Sequence, residues 1–267
     1  MEAIAASGRE MSSRKLFKLL LPKEHGSWSL AMEPLAFGLL AAPSAAGGAL
    51  AVAALAGFFL RRPIRSLFRE PAAPQRQWMI FCAIALTVIA LAGLWLAAQS
   101  GGAARLWPLI PAALAGIAFV WFDSRNEARA EAAELSGAVA FGILSAAFGA
   151  LAGWNAVESA ALALVMLSRS VPTVIYARTY MRLRKGREAA RLPAFIAVVA
   201  ALLLLTWLAA AKIAPWPAAV FGILLAARTF WLLGNSRPQF PAKVVGFTEL
   251  ILGLAMVLTV ALAWRFF

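Results

Sequence analysis

The sequence predicts an all-α, polytopic membrane bundle of about nine transmembrane helices with a cytoplasmic N-terminus. Three observations carry this. Of the 267 residues 63% are hydrophobic, with a mean hydropathy of +0.80, more than a domain surrounded by water carries. Apolar windows of about 20 residues, each long enough to cross a hydrocarbon core of roughly 30 Å, recur along the whole chain. The cations fall in alternate loops.

Closed by Pro, Gly or charge, the apolar windows lie at 26–43, 45–61, 77–98, 106–122, 135–153, 158–177, 192–211, 214–233 and 244–264. The arm before the first, residues 1–25, mixes acids and bases and shows no small-residue cleavage site, so it reads as a cytoplasmic arm with residues 26–267 as a single transmembrane domain. Twenty of the 25 Lys/Arg fall in this arm and in the second-to-third, fourth-to-fifth, sixth-to-seventh and eighth-to-ninth loops. Arg105, Lys212 and Arg265 fall on the other side. The positive-inside bias then places the N-terminus of this multi-pass chain on the cytoplasmic side. The net charge of +13 is accounted for by this topology and by anionic phospholipid headgroups; with no soluble basic domain, nucleic acid is not an expected partner. The lone Cys82 excludes an internal disulfide or a thiolate cluster.

The second and sixth helices end in dense arginine stretches, FFLRRPIRSLFRE and IYARTYMRLRKGR. Arg61, Arg65 and Arg69 recur every fourth residue, as do Arg178 and Arg182, with Arg184 beside them. A stripe of like charge favours solvent, headgroups or an anionic ligand, and the planar fork of arginine suits phosphate. These six are the candidate substrate-binding residues. The fourth-to-fifth loop has an acidic stripe, Asp123, Glu127 and Glu131. It either clasps the arginines or holds a divalent cation through oxygen ligands; magnesium is expected only in the second case, and otherwise no cofactor is expected.

Four charges fall inside apolar windows: Glu33, Arg169, Arg228 and Glu249. Each is costly in hydrocarbon and calls for a partner; Glu249 with Arg228, and Glu33 with an arginine of another helix, are the natural pairs, for structure or for a solute or proton path. His25 and Glu24, at the start of the first helix, are candidate acid/base groups, together with Tyr176. Walker, GxSxG, HExxH and dinucleotide motifs are absent from the sequence.

The stretches PKEHGSW, RNEARAEAAELSG, VIYARTYMRLRKG and PAKVVGFTELILG, in that order, resemble the YwiC-like family of bacterial membrane proteins, a name that brings no biochemical activity with it. The nine-helix plan, with polar loops after helices two and six, is also similar to the UbiA superfamily of intramembrane prenyltransferases. Its sixth-helix motif D-x-I-Y-A-x-x-D-x-x-x-D is matched at Ile175, Tyr176 and Ala177, while Thr173, Tyr180 and Arg184 stand at the acid positions and Arg61, Arg65 and Arg69 where the other metal motif would fall. The resemblance therefore implies a UbiA-like scaffold without that superfamily's metal chemistry. The reading is a protein binding an anionic amphiphile (a prenyl diphosphate, a phospholipid or a quinone precursor) in a cavity open to the cytoplasm; if an enzyme, it is a divergent prenyltransferase. A small-solute or proton-coupled transporter and a membrane assembly factor are the alternatives. The expected partner is membrane lipid or isoprenoid, and no protein partner is indicated.

Overall fold

A computed structural model describes residues 25–69, 75–125, 127, 130–235 and 238–267. Among these are nine α-helices: α1 (His25–Ala41), α2 (Ala45–Arg69), α3 (Arg76–Gly101), α4 (Leu109–Ser124), α5 (Glu131–Leu151), α6 (Ala156–Arg184), α7 (Leu192–Ala210), α8 (Pro217–Leu233) and α9 (Ala242–Trp264). Six of these, and α4 taken together with the 3-10 turn Ala103–Leu106 that leads into it, are long and apolar enough to cross a membrane; α1 and α8 are shorter apolar helices. The protein is a multi-pass helical membrane protein. Of the N-terminal arm, residues 1–24 lie outside the described residues.

Local chemistry sets the helix ends. Ser44 accepts from the Gly47 amide at 2.9 Å and starts α2. Asn155 and Glu158 form a capping box at α6, so Glu158 serves the helix start. Two helices run past their apolar windows. α2 continues through Pro63 to Arg69 and α6 to Arg184, so the arginine stretches are final helical turns. The acidic stripe, by contrast, is not one helical face: α4 ends at Ser124 and α5 begins at Glu131, leaving Glu127 in the connection.

α6 and α5 are the most buried spans and pack on each other; α5 also packs on α1 and α4, and α9 returns to lie on α1. α3 and α4 are the least buried. The core centres on Phe37, Phe148, Leu162, Met166 and Met256. Close helix approach depends on small residues, as expected where lipid offers no hydrophobic drive between helices. At Gly38 the ring of Phe148 fills the space that a β-carbon would take. Gly38→Ala is therefore expected to lower stability by about 1–3 kcal/mol through overpacking, read as a fall in Tm in detergent.

Candidate functional site

A cavity of about 2390 Å³ runs between α1, α2, α4, α5, α6 and α9, with a smaller contribution from α3. Its middle is apolar, and small residues on three helices (Gly57, Gly116 and Gly137) keep it wide. Charge enters at two levels.

At the arginine-rich end, Arg61 and Arg65, one turn apart on α2, converge on one carboxylate. Arg61 Nε donates to Asp123 Oδ2 at 3.2 Å and Arg65 Nη1 lies 3.1 Å from Oδ1. Asp123 sits in the last turn of α4, where the helix dipole disfavours an acid, and two guanidinium groups offset that cost. Arg61 also lies over the Phe119 ring, 4.4 Å from its centroid. Across the cavity Arg178 Nη1 contacts Glu134 Oε2 at 2.7 Å. Lys243, in the first turn of α9, completes this end. Among the described residues, four cations and two acids line this end.

The deeper level joins all four intramembrane charges. Arg169 on α6 donates through Nη1 to Glu249 Oε2 at 3.1 Å and through Nη2 to the Glu249 backbone carbonyl at 2.8 Å, while its Nε stands 3.7 Å from Glu33 Oε2. Arg228 on α8 donates to the same Glu249 oxygen and lies over the Tyr176 ring at 4.2 Å. Ser29 holds Glu33, and Thr173 accepts from Arg169 while donating to its carbonyl at 2.7 Å. The expected Glu249–Arg228 pair is present, and Glu33 finds Arg169. What the sequence did not reveal is that one arginine would bridge both glutamates.

Of the six arginines expected at one mouth, Arg61, Arg65 and Arg178 line the cavity. Arg182 and Arg184 are exposed and outside its lining, whereas Met181 lines the cavity and Leu183 packs on the core. Arg69 ends α2, and its side chain lies outside the described residues. Asp123 is paired with arginine, whereas Glu127 and Glu131 are exposed away from the cavity. Among the described residues no three His, Cys, Asp or Glu side chains converge. Tyr176 is fully buried under Arg228 and does not line the cavity, which removes it from reach of a ligand there. Glu24 lies outside the described residues, as does the side chain of His25, whose backbone opens α1.

Two positions where the UbiA motif carries acids have other work. Thr173 serves Arg169, and the Tyr180 hydroxyl donates to the Pro238 carbonyl at 2.7 Å and accepts from the Phe240 amide at 2.9 Å, tying α6 to the segment before α9. Lys243 was missed as a site residue; its signal was the lone cation in PAKVV, counted for topology alone.

Residues 21–148 match the family model described as YwiC-like protein. Over that stretch the chain is similar to the YwiC-like family. The YwiC-like stretch holds Glu33, Arg61, Arg65, Asp123 and Glu134, so it supplies one wall of both charged levels, and Arg169, Arg178 and Glu249 beyond it supply the other. No curated protein and no solved structure matches the chain.

Proposed function

We propose that the protein binds an anionic amphiphile, a prenyl diphosphate, phospholipid or quinone precursor, with the charged group at Arg61, Arg65 and Arg178 and the chain in the apolar interior. The observation that carries this reading is the bipolar cavity itself. Its volume exceeds the roughly 300–1,000 Å³ of ordinary small-molecule pockets, its walls are mostly apolar, and among the described residues its charged end carries four cations and two acids. A guanidinium offers five N–H donors in a planar fork that suits a phosphate or diphosphate group. Direct contact of this kind binds without metal; it does not by itself supply a catalytic step.

The test is native mass spectrometry of protein extracted gently from its membrane, repeated with added farnesyl diphosphate, with magnesium and with chelator. A lipid retained in chelator is expected. Arg178→Glu should weaken its retention about 10- to 100-fold, the scale of a lost charged hydrogen bond, while Arg184→Glu, outside the lining, keeps it. Equal retention in both variants would sink the reading. Bound lipid absent under every condition would turn attention to solute flux in proteoliposomes.

A further inference from the structure

The deep cluster contains two arginines and two glutamates, so its charges cancel when all four are ionised. Three of the four are locked together: Glu249 Oε2 accepts from both arginines, and Arg228 is held against Tyr176. Glu33 is the exception. It stands 3.7 Å from Arg169 Nε, beyond hydrogen-bond length, its hydrogen bond is to Ser29 one turn back on its own helix, and it lines the cavity. Among the described residues Arg169 Nε has no hydrogen-bond partner, although Arg169 is only 2% exposed. On α9, Gly253 presents bare backbone to the Glu33 carboxylate, where any β-carbon would overlap it.

The charges acting on Glu33 are those of Arg169 on α6 and Glu249 on α9. α5, whose Ser145 hydroxyl donates to the Pro34 carbonyl at 3.3 Å, brings Leu144 to this level. α2 contributes only uncharged side chains to the cavity before Arg61, and Arg61, Arg65, Asp123, Glu134, Arg178 and Lys243 belong to the arginine-rich end. Along α6, Arg169 lies nine residues from Arg178, about 13 Å at roughly 1.5 Å per residue.

We infer that Arg169 is an inner anion site, opened when Glu33 takes up a proton. It rests on the amphiphile reading, in which Arg178 and its neighbours are the outer contact. An anion beside the neutral cluster would leave one uncompensated negative charge in a medium of low dielectric constant, which is strongly unfavourable. A proton from cavity water, added to a Glu33 carboxylate oxygen, restores neutrality and releases Arg169 Nε toward the anion. The resulting carboxylic acid can itself donate to that anion. Arg169 keeps its proton and its bonds to Glu249 throughout. Binding and protonation are then reciprocally linked: a proton is taken up with the anion, so acid strengthens binding and alkali weakens it, by about tenfold per pH unit wherever Glu33 is ionised in the free protein.

The experiment uses the full chain in phosphatidylcholine nanodiscs and two sulfonates whose charge does not titrate, hexadecanesulfonate and methanesulfonate. Calorimetry from pH 6 to 8, in buffers of differing ionisation enthalpy, counts protons. The expected result is saturable binding that weakens with rising pH, with one proton taken up per anion. Glu33→Gln, uncharged at every pH, should bind without pH dependence or proton uptake and, at pH 8, more tightly than the unaltered protein, and Arg169→Gln should lose the acid-strengthened component. Acid-strengthened binding of hexadecanesulfonate alone assigns the site to an amphiphile headgroup; the same behaviour with methanesulfonate assigns it to free anions. Saturable binding without pH dependence or proton uptake overturns the inner site and leaves the outer one standing. No saturable binding of hexadecanesulfonate at any pH overturns both.

Discussion

Replacing Glu249 by leucine is expected to destabilise the protein by about 3–5 kcal/mol, the scale seen when one partner of a buried ion pair is removed. Glu249 Oε2 and the Glu249 backbone carbonyl together hold Arg169, and the same oxygen holds Arg228. Without that carboxylate two guanidinium groups, both within the membrane-spanning part of the bundle, would share only Glu33, which is not within hydrogen-bond reach of either. The double variant Glu249→Leu with Arg228→Leu leaves Arg169 and Glu33 as a neutral pair, and should recover most of the loss. Thermal unfolding in a mild detergent measures both. A single variant as stable as the unaltered protein would mean that water reaches the cluster freely.

Filling the cavity should do the opposite, removing function while sparing the fold. Gly57 on α2 and Gly116 on α4 both line it, and a β-carbon at either meets nothing within 4 Å. Leucine at these positions projects into empty space, and each exchange removes a helix-interior glycine that costs roughly 0.5–1 kcal/mol relative to alanine. The double variant Gly57→Leu with Gly116→Leu should therefore keep or raise its Tm and lose retained lipid by at least about tenfold, the equivalent of some 1.4 kcal/mol of binding. Full retention in this variant would place the ligand elsewhere.

The nine helices were legible because each is an apolar run stopped by charge, Pro or Gly, a signal that depends on local composition alone. The true ends of α2 and α6 were less so. Arginine is a good helix former, and the window that detects apolar spans stops at the first charges although the helix does not. Spacing by fours misled at Asp123, Glu127 and Glu131, since a stripe exists only where the intervening residues are helical, and the connection between α4 and α5 breaks it. The cost of burying charge foretold that Glu33, Arg169, Arg228 and Glu249 would find partners. It could not say that Arg169 would stand between two glutamates from α1 and α9, because that depends on which helices pack together, a long-range property that no stretch of sequence carries.

The ionic cluster also sets an order of events during synthesis. Glu33 and Glu249 are 216 positions apart, and at roughly 5–20 residues per second the ribosome takes about 10 to 40 s to travel from one to the other. Glu33 emerges 136 positions before Arg169, and once α6 and α8 are made their two arginines have only that one acid until Glu249 arrives with α9. The cluster therefore reaches charge balance only when α9 packs on α1. A chain cut before α9 keeps eight of the nine described helices and leaves the cluster of Glu33, Arg169 and Arg228 with one unmatched positive charge.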